Sequence, residues 1–236
     1  MKATKVILIA SCIAMTISVY GQENHTYNNG YWQIGIGLGE IPMDGSFKPS
    51  ITFGYHFNEK VYTGLIYQFK DQIQRNESSI NARSAGLEGL VSASENVAQR
   101  FMLQIRYTPI KNGPYVSGGI VYNGQDNETM KFKKMTRTLS GEVHSGDIII
   151  QQTRPAGWGL ALGLGYQYNF KNGFSTGFEW TPAWGQYPTP SYSFAGSPEL
   201  SPVAKKELAH KMNEGFKSSV TNMYKVFHFG IAYRFR

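Results

Sequence analysis

Charged and polar side chains recur at alternate positions within several apolar segments, where they would form a buried network. Arg106 and Glu179 lie in two such segments, and Lys225 and His228 lie near the end of the chain. A lone carboxylate against an apolar wall is unfavourable, so we expect Glu179 to pair with Arg106 or Lys225. The other polar residues expected on the same side are Gln33, His56, Gln68, Lys70, Gln104 and Arg234.

A second group contains residue types that hydrolases use for nucleophilic catalysis. Glu142, His144, Ser145 and Asp147 follow one another closely in one connecting segment. Neighbouring His and Ser residues on a connection need not face each other, so we predict no catalytic residues and no enzyme. Neither Cys12 nor any group of His, Asp and Glu has the spacing of a metal site, and we expect no metal and no cofactor.

A third group is basic and belongs to the same connecting segment. Lys131, Lys133, Lys134 and Arg137 are interleaved with apolar residues. Outside a membrane such a cluster could contact lipopolysaccharide phosphates or a partner protein, although runs of charge are more often solvated faces. We treat these four residues as a candidate anion-binding segment.

The elements that must position these groups are strands, and the clearest one ends the chain at residues 224–236. Its large apolar residues alternate with His228, Gly230, Ala232 and Arg234. A period of two places the apolar groups on one face of a strand and the small or polar groups on the other. The apolar residues are Phe227, Phe229, Ile231, Tyr233 and Phe235.

Seven earlier segments show the same alternation, and most have about the 9–11 residues that a strand needs to cross a membrane. The connections after the second, fourth and sixth are short, and two of these contain Lys-Asn-Gly, a hairpin signal. Those after the third, fifth and seventh are long, which is the asymmetry of outer-membrane barrels. The eight predicted strands are 31–40, 49–57, 61–70, 100–109, 114–122, 157–168, 173–181 and 224–236.

The pattern predicts an all-β fold: an eight-stranded antiparallel up-and-down transmembrane β-barrel with short periplasmic turns and long extracellular loops. A lipocalin-like barrel would instead turn its aromatic residues inward. The face opposite the aromatic residues is rich in Gly and Ala, which suits a narrow interior better than a surface in water. Aromatic residues near the short turns resemble an interfacial girdle. They are Tyr55, Phe57, Tyr107, Tyr115, Tyr166, Tyr168, Phe170, Phe174, Tyr233 and Phe235.

The N-terminus is typical of an exported protein. Lys2 and Lys5 precede an apolar run at residues 6–20, which is too short for a spanning helix and predicts a signal peptide at 1–21. A lipoprotein attachment site ending at Cys12 is the alternative. We assign 22–29 to a short periplasmic segment and 30–236 to the barrel. The formal charge of +7 does not predict nucleic-acid binding, because an exported chain rarely meets nucleic acid. Lipid phosphates are the anions that we expect it to contact.

With these strands, the chain resembles the small outer-membrane barrels of the OmpA and OmpX type across residues 30–236. The resemblance rests on pattern without a diagnostic motif, and it implies no particular activity. It implies insertion by the barrel-assembly machinery, which reads a terminal aromatic residue as an assembly signal in the last strand. Phe235 fits this role, but Arg236 follows it. The assembly signal would comprise Phe227, Phe229, Ile231, Tyr233 and Phe235.

We therefore expect a monomer with a structural or surface-interaction role, in contact with outer-membrane lipids, lipopolysaccharide or an extracellular protein. A small pore and an enzyme acting on lipid A or phospholipid are the alternatives. Ser201 and Pro202 predict the start of a helix that runs to Phe216 in the last long loop. It would cap the barrel mouth or lie on the lipid surface. A second short helix could lie within residues 78–98.

Overall fold

A computed structural model of the chain describes residues 30–39, 47–184, 188–218 and 224–236. The predicted signal peptide, the segment 22–29 and most of the first connection lie outside the described residues. The strands are β1 (Tyr31–Leu38), β2 (Pro49–His56), β3 (Val61–Gln68), β4 (Asp71–Asn76), β5 (Leu90–Val97), β6 (Arg100–Tyr107), β7 (Gly113–Asn123), β8 (Asp126–Leu139), β9 (Glu142–Arg154), β10 (Gly157–Asn169), β11 (Phe174–Trp184), β12 (Ser191–Ser197) and β13 (Tyr224–Phe235). The helices are α1 (Ile80–Ala85) and α2 (Pro202–Ser218).

Eight strands form a closed antiparallel barrel in the order β1-β13-β11-β10-β7-β6-β3-β2. These are the eight strands predicted from the alternation, and each begins and ends within a few residues of its predicted position. The last strand closes the barrel on the first, from Trp32 opposite Phe235 to Leu38 opposite Phe229. Closure removes the unpaired edges that a sheet could not leave exposed in lipid.

The apolar face of the barrel points outward, as predicted. Leu160 is 68 % exposed, Ile105 is 65 % exposed and Phe229 is 53 % exposed. On the other face Gln33 and Thr52 are buried. A ring of exposed apolar side chains of this extent is unfavourable in water and favourable in lipid. No helix among the described residues is long and apolar enough to span a membrane.

A five-stranded antiparallel sheet outside the barrel was not predicted, because its segments had been assigned to loops. Its order is β12-β9-β8-β5-β4, and four of its strands, β4, β5, β8 and β9, continue neighbouring barrel strands. Between β6 and β7 the ladder continues past the barrel, since the Gly124 amide donates to the Gln99 carbonyl at 2.9 Å. Four two-residue links join barrel strands to sheet strands: Phe69-Lys70, Ala98-Gln99, Gly124-Gln125 and Pro155-Ala156.

Both helices pack on one face of this sheet, and we call the sheet with its two helices the external unit. Ser201 starts α2 as predicted, because its hydroxyl accepts a hydrogen bond from the Ala204 amide at 3.1 Å. The helix neither lies on lipid nor simply caps the barrel, since its apolar stripe is buried against the sheet. Ser79 caps α1 by accepting from the Ala82 amide at 3.0 Å. The apolar core between the layers includes Met130, Phe132, Ile148, Ile150, Leu208 and Met212.

Glycines make room for tyrosine rings inside the barrel. A Cβ atom at Gly64 would overlap the Tyr62 ring, and one at Gly165 would overlap the Tyr115 ring. Both tyrosines lie in the barrel interior and are buried. The inward glycines are therefore needed for close approach rather than for unusual backbone angles.

We predict that Gly165→Ala destabilises the barrel, because the added methyl group forces the Tyr115 ring from its site. The cost should fall in the range of about 1–3 kcal/mol typical of overpacking. Urea unfolding of the folded protein in lipid vesicles measures it. Gly118→Ala is the matched control, since its Cβ would meet its nearest neighbour at 3.6 Å. Equal stability of the two variants would contradict the prediction.

Candidate functional site

The barrel interior is built around Glu179 on β11, whose side chain is fully buried. Arg106 on β6 donates to its Oε2 at 2.8 Å. The hydroxyl of Tyr115 donates to the same atom at 3.0 Å, while Ser117 and Thr181 donate to Oε1 at 2.7 Å and 3.0 Å. A buried carboxylate is tolerated when it has an opposite charge and several donors, and Glu179 has both.

Gln104 completes the shell around Glu179. In the amide orientation that satisfies both of its polar atoms, its nitrogen donates to Glu179 Oε1 at 2.7 Å. Its oxygen then accepts from Arg106 Nη2 at 3.1 Å. Since Gln104 lies two residues before Arg106, the same inward face of β6 supplies both partners.

Arg106 is held between two aromatic rings. Its guanidinium carbon lies 4.7 Å from the Tyr62 ring centroid and 4.2 Å from that of Tyr115. Stacking of this kind suits the planar, weakly hydrated guanidinium group and would not suit a lysine as well. The Nη1 atom also donates to Gln167 Oε1 at 2.9 Å.

The polar network continues toward the short turns. His56 bonds to Gln33 Oε1 at 2.9 Å, and its ring stacks on Tyr31 with centroids 4.3 Å apart. Arg234 donates to the carbonyl of Phe170 at 2.9 Å. The interior polar groups therefore tie strands on opposite sides of the barrel together.

Toward the external unit, the polar network is followed by a layer of apolar side chains. An inward cluster lies across six barrel strands and is nearly completely buried. A polar cavity beside Arg106 and His228 measures only about 30 Å³, which is space for roughly one water molecule. The described interior is thus filled by side chains. The apolar cluster consists of Ile66, Met102, Val121, Ala161, Ala183 and Val226.

Two residues predicted for the interior lie elsewhere. Lys225 is wrong as an interior residue, because Val226 and His228 point inward in β13 and Lys225 shares the outward face with Phe227. It therefore cannot neutralise Glu179. Lys70 is exposed in the link after β3, where the alternation of the strand has ended. Tyr115, predicted for the girdle, instead lies inside over Arg106.

The other predicted interior residues lie where the alternation placed them. His228 is opposite Glu179 across the ladder and bonds to the Ser50 hydroxyl at 2.9 Å. Gln68 donates to the Phe227 carbonyl at 2.6 Å. Five further interior residues were not predicted, although strand parity alone places each of them inside: Tyr62, Tyr115, Ser117, Thr181 and Gln167.

Arg137, predicted as an anion contact, has a structural role instead. It is buried and donates to backbone carbonyls, at 2.9 Å to Gly146, 3.0 Å to Glu88 and 2.8 Å to Lys133. These bonds hold β8 where its register with β9 shifts between Phe132 and Met135. The guanidinium group is therefore not available to an external anion.

Lys131, Lys133 and Lys134 are exposed, in agreement with a solvated segment. Lys133 also borders a cleft of about 440 Å³ beside α1. Arg83 lies on the same cleft, whose lining includes Leu87, Leu90 and Val91. The lining also includes Glu77, so the cleft combines two cationic groups and one carboxylate with apolar side chains.

The histidine and serine of the hydrolase-like segment do not meet. His144 and Ser145 are neighbours in β9, so their side chains leave the strand on opposite faces. The Ser145 hydroxyl bonds to that of Thr136 at 2.8 Å, and His144 Nε2 lies 3.4 Å from the Asp147 carbonyl oxygen. Glu142 accepts a hydrogen bond from Ser201. No catalytic triad is assembled by these residues.

The base of the external unit holds three carboxylates. Glu95 pairs with Arg75 at 2.8 Å, and Asp126 lies 3.6 Å from Arg154. The oxygens of Glu128 accept from Ser79 and Asn81 at 2.6 Å each. Each charge therefore has a partner within the protein, and these contacts fix α1 to the sheet.

The sequence matches no family model and no curated protein. The structure is similar to that of CarO2 of Acinetobacter baumannii, with 13% identity and a TM-score of 0.60 over 88% of this chain and 99% of that one. It is also similar to A. baumannii CarO, with 12% identity and a TM-score of 0.54 over 90% and 100% of the two chains. At this identity the likeness shows the fold alone.

The shared fold is that of the eight-stranded outer-membrane barrels. The ring of exposed apolar side chains on the barrel exterior independently requires a membrane around the barrel. The chain is therefore an outer-membrane β-barrel protein.

We predict that Glu179→Gln lowers the stability of the barrel by about 3–5 kcal/mol, because it leaves the buried charge of Arg106 uncompensated. Urea unfolding in lipid vesicles, followed by heat-modifiable gel mobility, measures the loss. Glu59→Gln is the matched control, since Glu59 and its partner Lys111 are both exposed and their pair should contribute little. Unchanged unfolding of Glu179→Gln would show that the ion pair does not support the fold.

A second prediction concerns pH and the external unit. Burial raises the pKa of Glu95 above its usual value, the hydrogen bond from Arg75 opposes this rise, and the nearby Glu128 adds to it. A carboxyl with a raised pKa in the folded state contributes most at low pH, and this contribution is lost as the pH rises through the folded-state pKa.

Hydrogen exchange of β4 and β5 amides, corrected for the intrinsic rate, should therefore show protection that falls as the pH rises above the ordinary carboxyl pKa of 4.5. Glu95→Gln should flatten this dependence. Glu199→Gln is the control, because Glu199 is exposed and pairs with Lys205 away from these strands. If Glu95→Gln leaves the pH dependence of amide protection unchanged, that dependence arises from other titratable groups and the prediction is wrong.

Proposed function

We propose that the protein acts at the cell surface, with the barrel as a non-conducting anchor and the external unit as the binding part. The observation that carries this proposal is the contrast between the two halves. The lumen is filled by the Glu179 network and the apolar cluster, whereas four barrel strands continue outward into a packed five-stranded sheet. An eight-stranded barrel has little interior space beyond its side chains.

The ligand class we propose is the phosphate groups of lipopolysaccharide. Lys133 and Arg83 flank the cleft beside α1, and Lys134 is the next residue on β8. Such a concentration of positive charge attracts multivalent anions, and salt should weaken the attraction. A protein partner with an acidic surface is the alternative occupant.

The proposal also covers how the barrel is assembled, its oligomeric state and the question of enzymatic activity. The exposed aromatic face of β13 is a suitable substrate for the barrel-assembly machinery, with Phe235 as the last aromatic residue. We propose a monomeric state and no enzymatic activity. The absence of enzymatic activity is supported by the separation of His144 from Ser145 on opposite faces of β9. It is also supported by the hydrogen bond that Glu142 accepts from Ser201.

The test combines conductance with binding. Purified barrels should give no discrete conductance steps in planar bilayers. Lys133→Ala with Arg83→Ala should weaken binding to lipopolysaccharide at low salt, by about tenfold for two lost phosphate contacts. Lys60→Ala with Lys111→Ala removes the same charge from two turns at the other end of the barrel and should leave binding unchanged.

Replacing residues 126–154 and 191–218 by short Asn-Gly turns should abolish binding while the barrel keeps its heat-modifiable mobility. Conductance steps, or binding that survives this replacement, would refute the proposal.

A further inference from the structure

One face of the external sheet carries no helix, and we call it the open face. Its residues stand in three rows that cross all five strands in register. Twelve of its fifteen residues are Ser, Thr, Asn or Gln. The rows are Ser191, Thr153, Asn127, Asn96 and Gln72; then Ser193, Gln151, Thr129, Ser94 and Gln74; then Ala195, Ile149, Lys131, Ser92 and Asn76.

The open face is the outward continuation of the lipid-facing surface. Asn123 points into the lumen, and its amide donates to Asp126 at 3.3 Å at the start of β8. Arg154 contacts both Asp126 and the ring of Phe216 on α2. The helix-covered face of the sheet is therefore continuous with the lumen. The opposite face must then be continuous with the barrel exterior.

This continuity fixes the level of the open face. The outward aromatic residues Tyr122 and Trp158 pair across β7 and β10 with ring centroids 4.9 Å apart. The first row begins at Asn127, about five residues or 16 Å of strand beyond Tyr122. Because barrel strands are tilted, the height gained is smaller. The row therefore lies immediately outside the hydrocarbon layer, where lipid headgroups surround the protein.

The chemistry of the open face is hydrogen bonding by uncharged side chains, with Lys131 as the one charged residue of the rows. A hydroxyl or carboxamide group can both donate and accept, and so can the hydroxyl groups of a sugar. Bonds along the rows fix the side chains in advance, with Ser193 donating to Gln151 at 3.1 Å and Thr153 donating to Asn127 at 3.0 Å. Side chains that are already ordered lose less entropy on binding.

Other occupants fit this face less well. The rows contain one charged residue, Lys131, which is too little for recognition of phosphate groups. They contain no aromatic anchor and few apolar groups, whereas protein interfaces are centred on such residues. A neutral ligand rich in hydroxyl groups remains.

We propose that the open face binds the sugar headgroups of glycolipid in the outer leaflet, alongside the barrel. This inference rests on the proposed surface function and names a second, neutral contact beside the phosphate-binding cleft. Glycolipid sugars would bridge from row to row across β8 and β9, while the acyl chains contact the apolar exterior below. The open face would thereby hold the lipids next to the barrel.

The experiment compares two fluorescent glycolipids in mixed detergent micelles by anisotropy. One is lipopolysaccharide with a complete core oligosaccharide, and the other is lipid A without core sugars. The folded protein should prefer the first by about tenfold, as expected for a few net hydrogen bonds. Thr129→Val with Gln151→Leu should abolish this preference and leave lipid A binding unchanged.

Thr108→Val is the matched control, since it removes a hydroxyl group at the opposite end of the barrel, and it should keep the preference. Heat-modifiable mobility verifies that every variant is folded. Equal affinity of the unaltered protein for the two glycolipids would overturn the proposal. So would a preference that survives Thr129→Val with Gln151→Leu.

These outcomes are separate from the test of surface function. Loss of lipid A binding in Lys133→Ala with Arg83→Ala reports on the phosphate cleft alone. If lipid A binds through that cleft and core sugars add nothing, the surface function stands and the open face is only solvated. Competition by soluble core oligosaccharide at concentrations that leave lipid A bound would further support sugar recognition.

Discussion

The structure depends on one constraint: a backbone in lipid must satisfy all its hydrogen bonds within the protein. Pairing of β13 with β1 meets this constraint by closing eight strands into a barrel. Closure at eight strands also fixes a narrow interior, so every inward side chain must fit against those from across the barrel. The glycines beside Tyr62 and Tyr115 follow from this restriction. So does the need to place a partner for Glu179 within the interior itself.

The lumen meets that need in two layers of different chemistry. Near the short turns and midway along the barrel, Arg106 and Glu179 satisfy each other with the help of hydroxyl and amide donors. Nearer the external unit, Ile66, Met102 and Val121 form an apolar layer, and beyond it Gln68 and Arg100 donate hydrogen bonds to carbonyls of β13. A buried charged network is stable only when each of its polar groups has a hydrogen-bonding or charged partner. The apolar layer shields this network on the outer side. The external helices then cover a sheet face that is continuous with this layer.

Alternation in the sequence was enough to predict the barrel, because a period of two assigns each residue of a strand to either the inner or the outer face. It placed Arg106, Glu179 and His228 inside, and the same rule would have placed Lys225 outside with Phe227. The external sheet could not be recognised in this way. Met130, Phe132, Ile148 and Ile150 do alternate, but what covers them is a helix distant in sequence rather than lipid. The role of Arg137 depended on a register shift in β8, which no spacing in the sequence reveals.

Continuity of the strands across the membrane boundary has a consequence that flexible loops would lack. Four of the links between barrel and sheet are two residues long, and hydrogen bonds such as that from Gly124 to Gln99 carry the ladder past the barrel. The external unit is therefore held at a defined height and orientation relative to the lipid. Along a single continuous surface the side chains change from Leu and Trp to Thr, Asn and Gln. A surface with this change matches a lipid that has acyl chains and a hydroxyl-rich headgroup. The acyl chains contact the apolar side chains, and the headgroup forms hydrogen bonds with the polar ones.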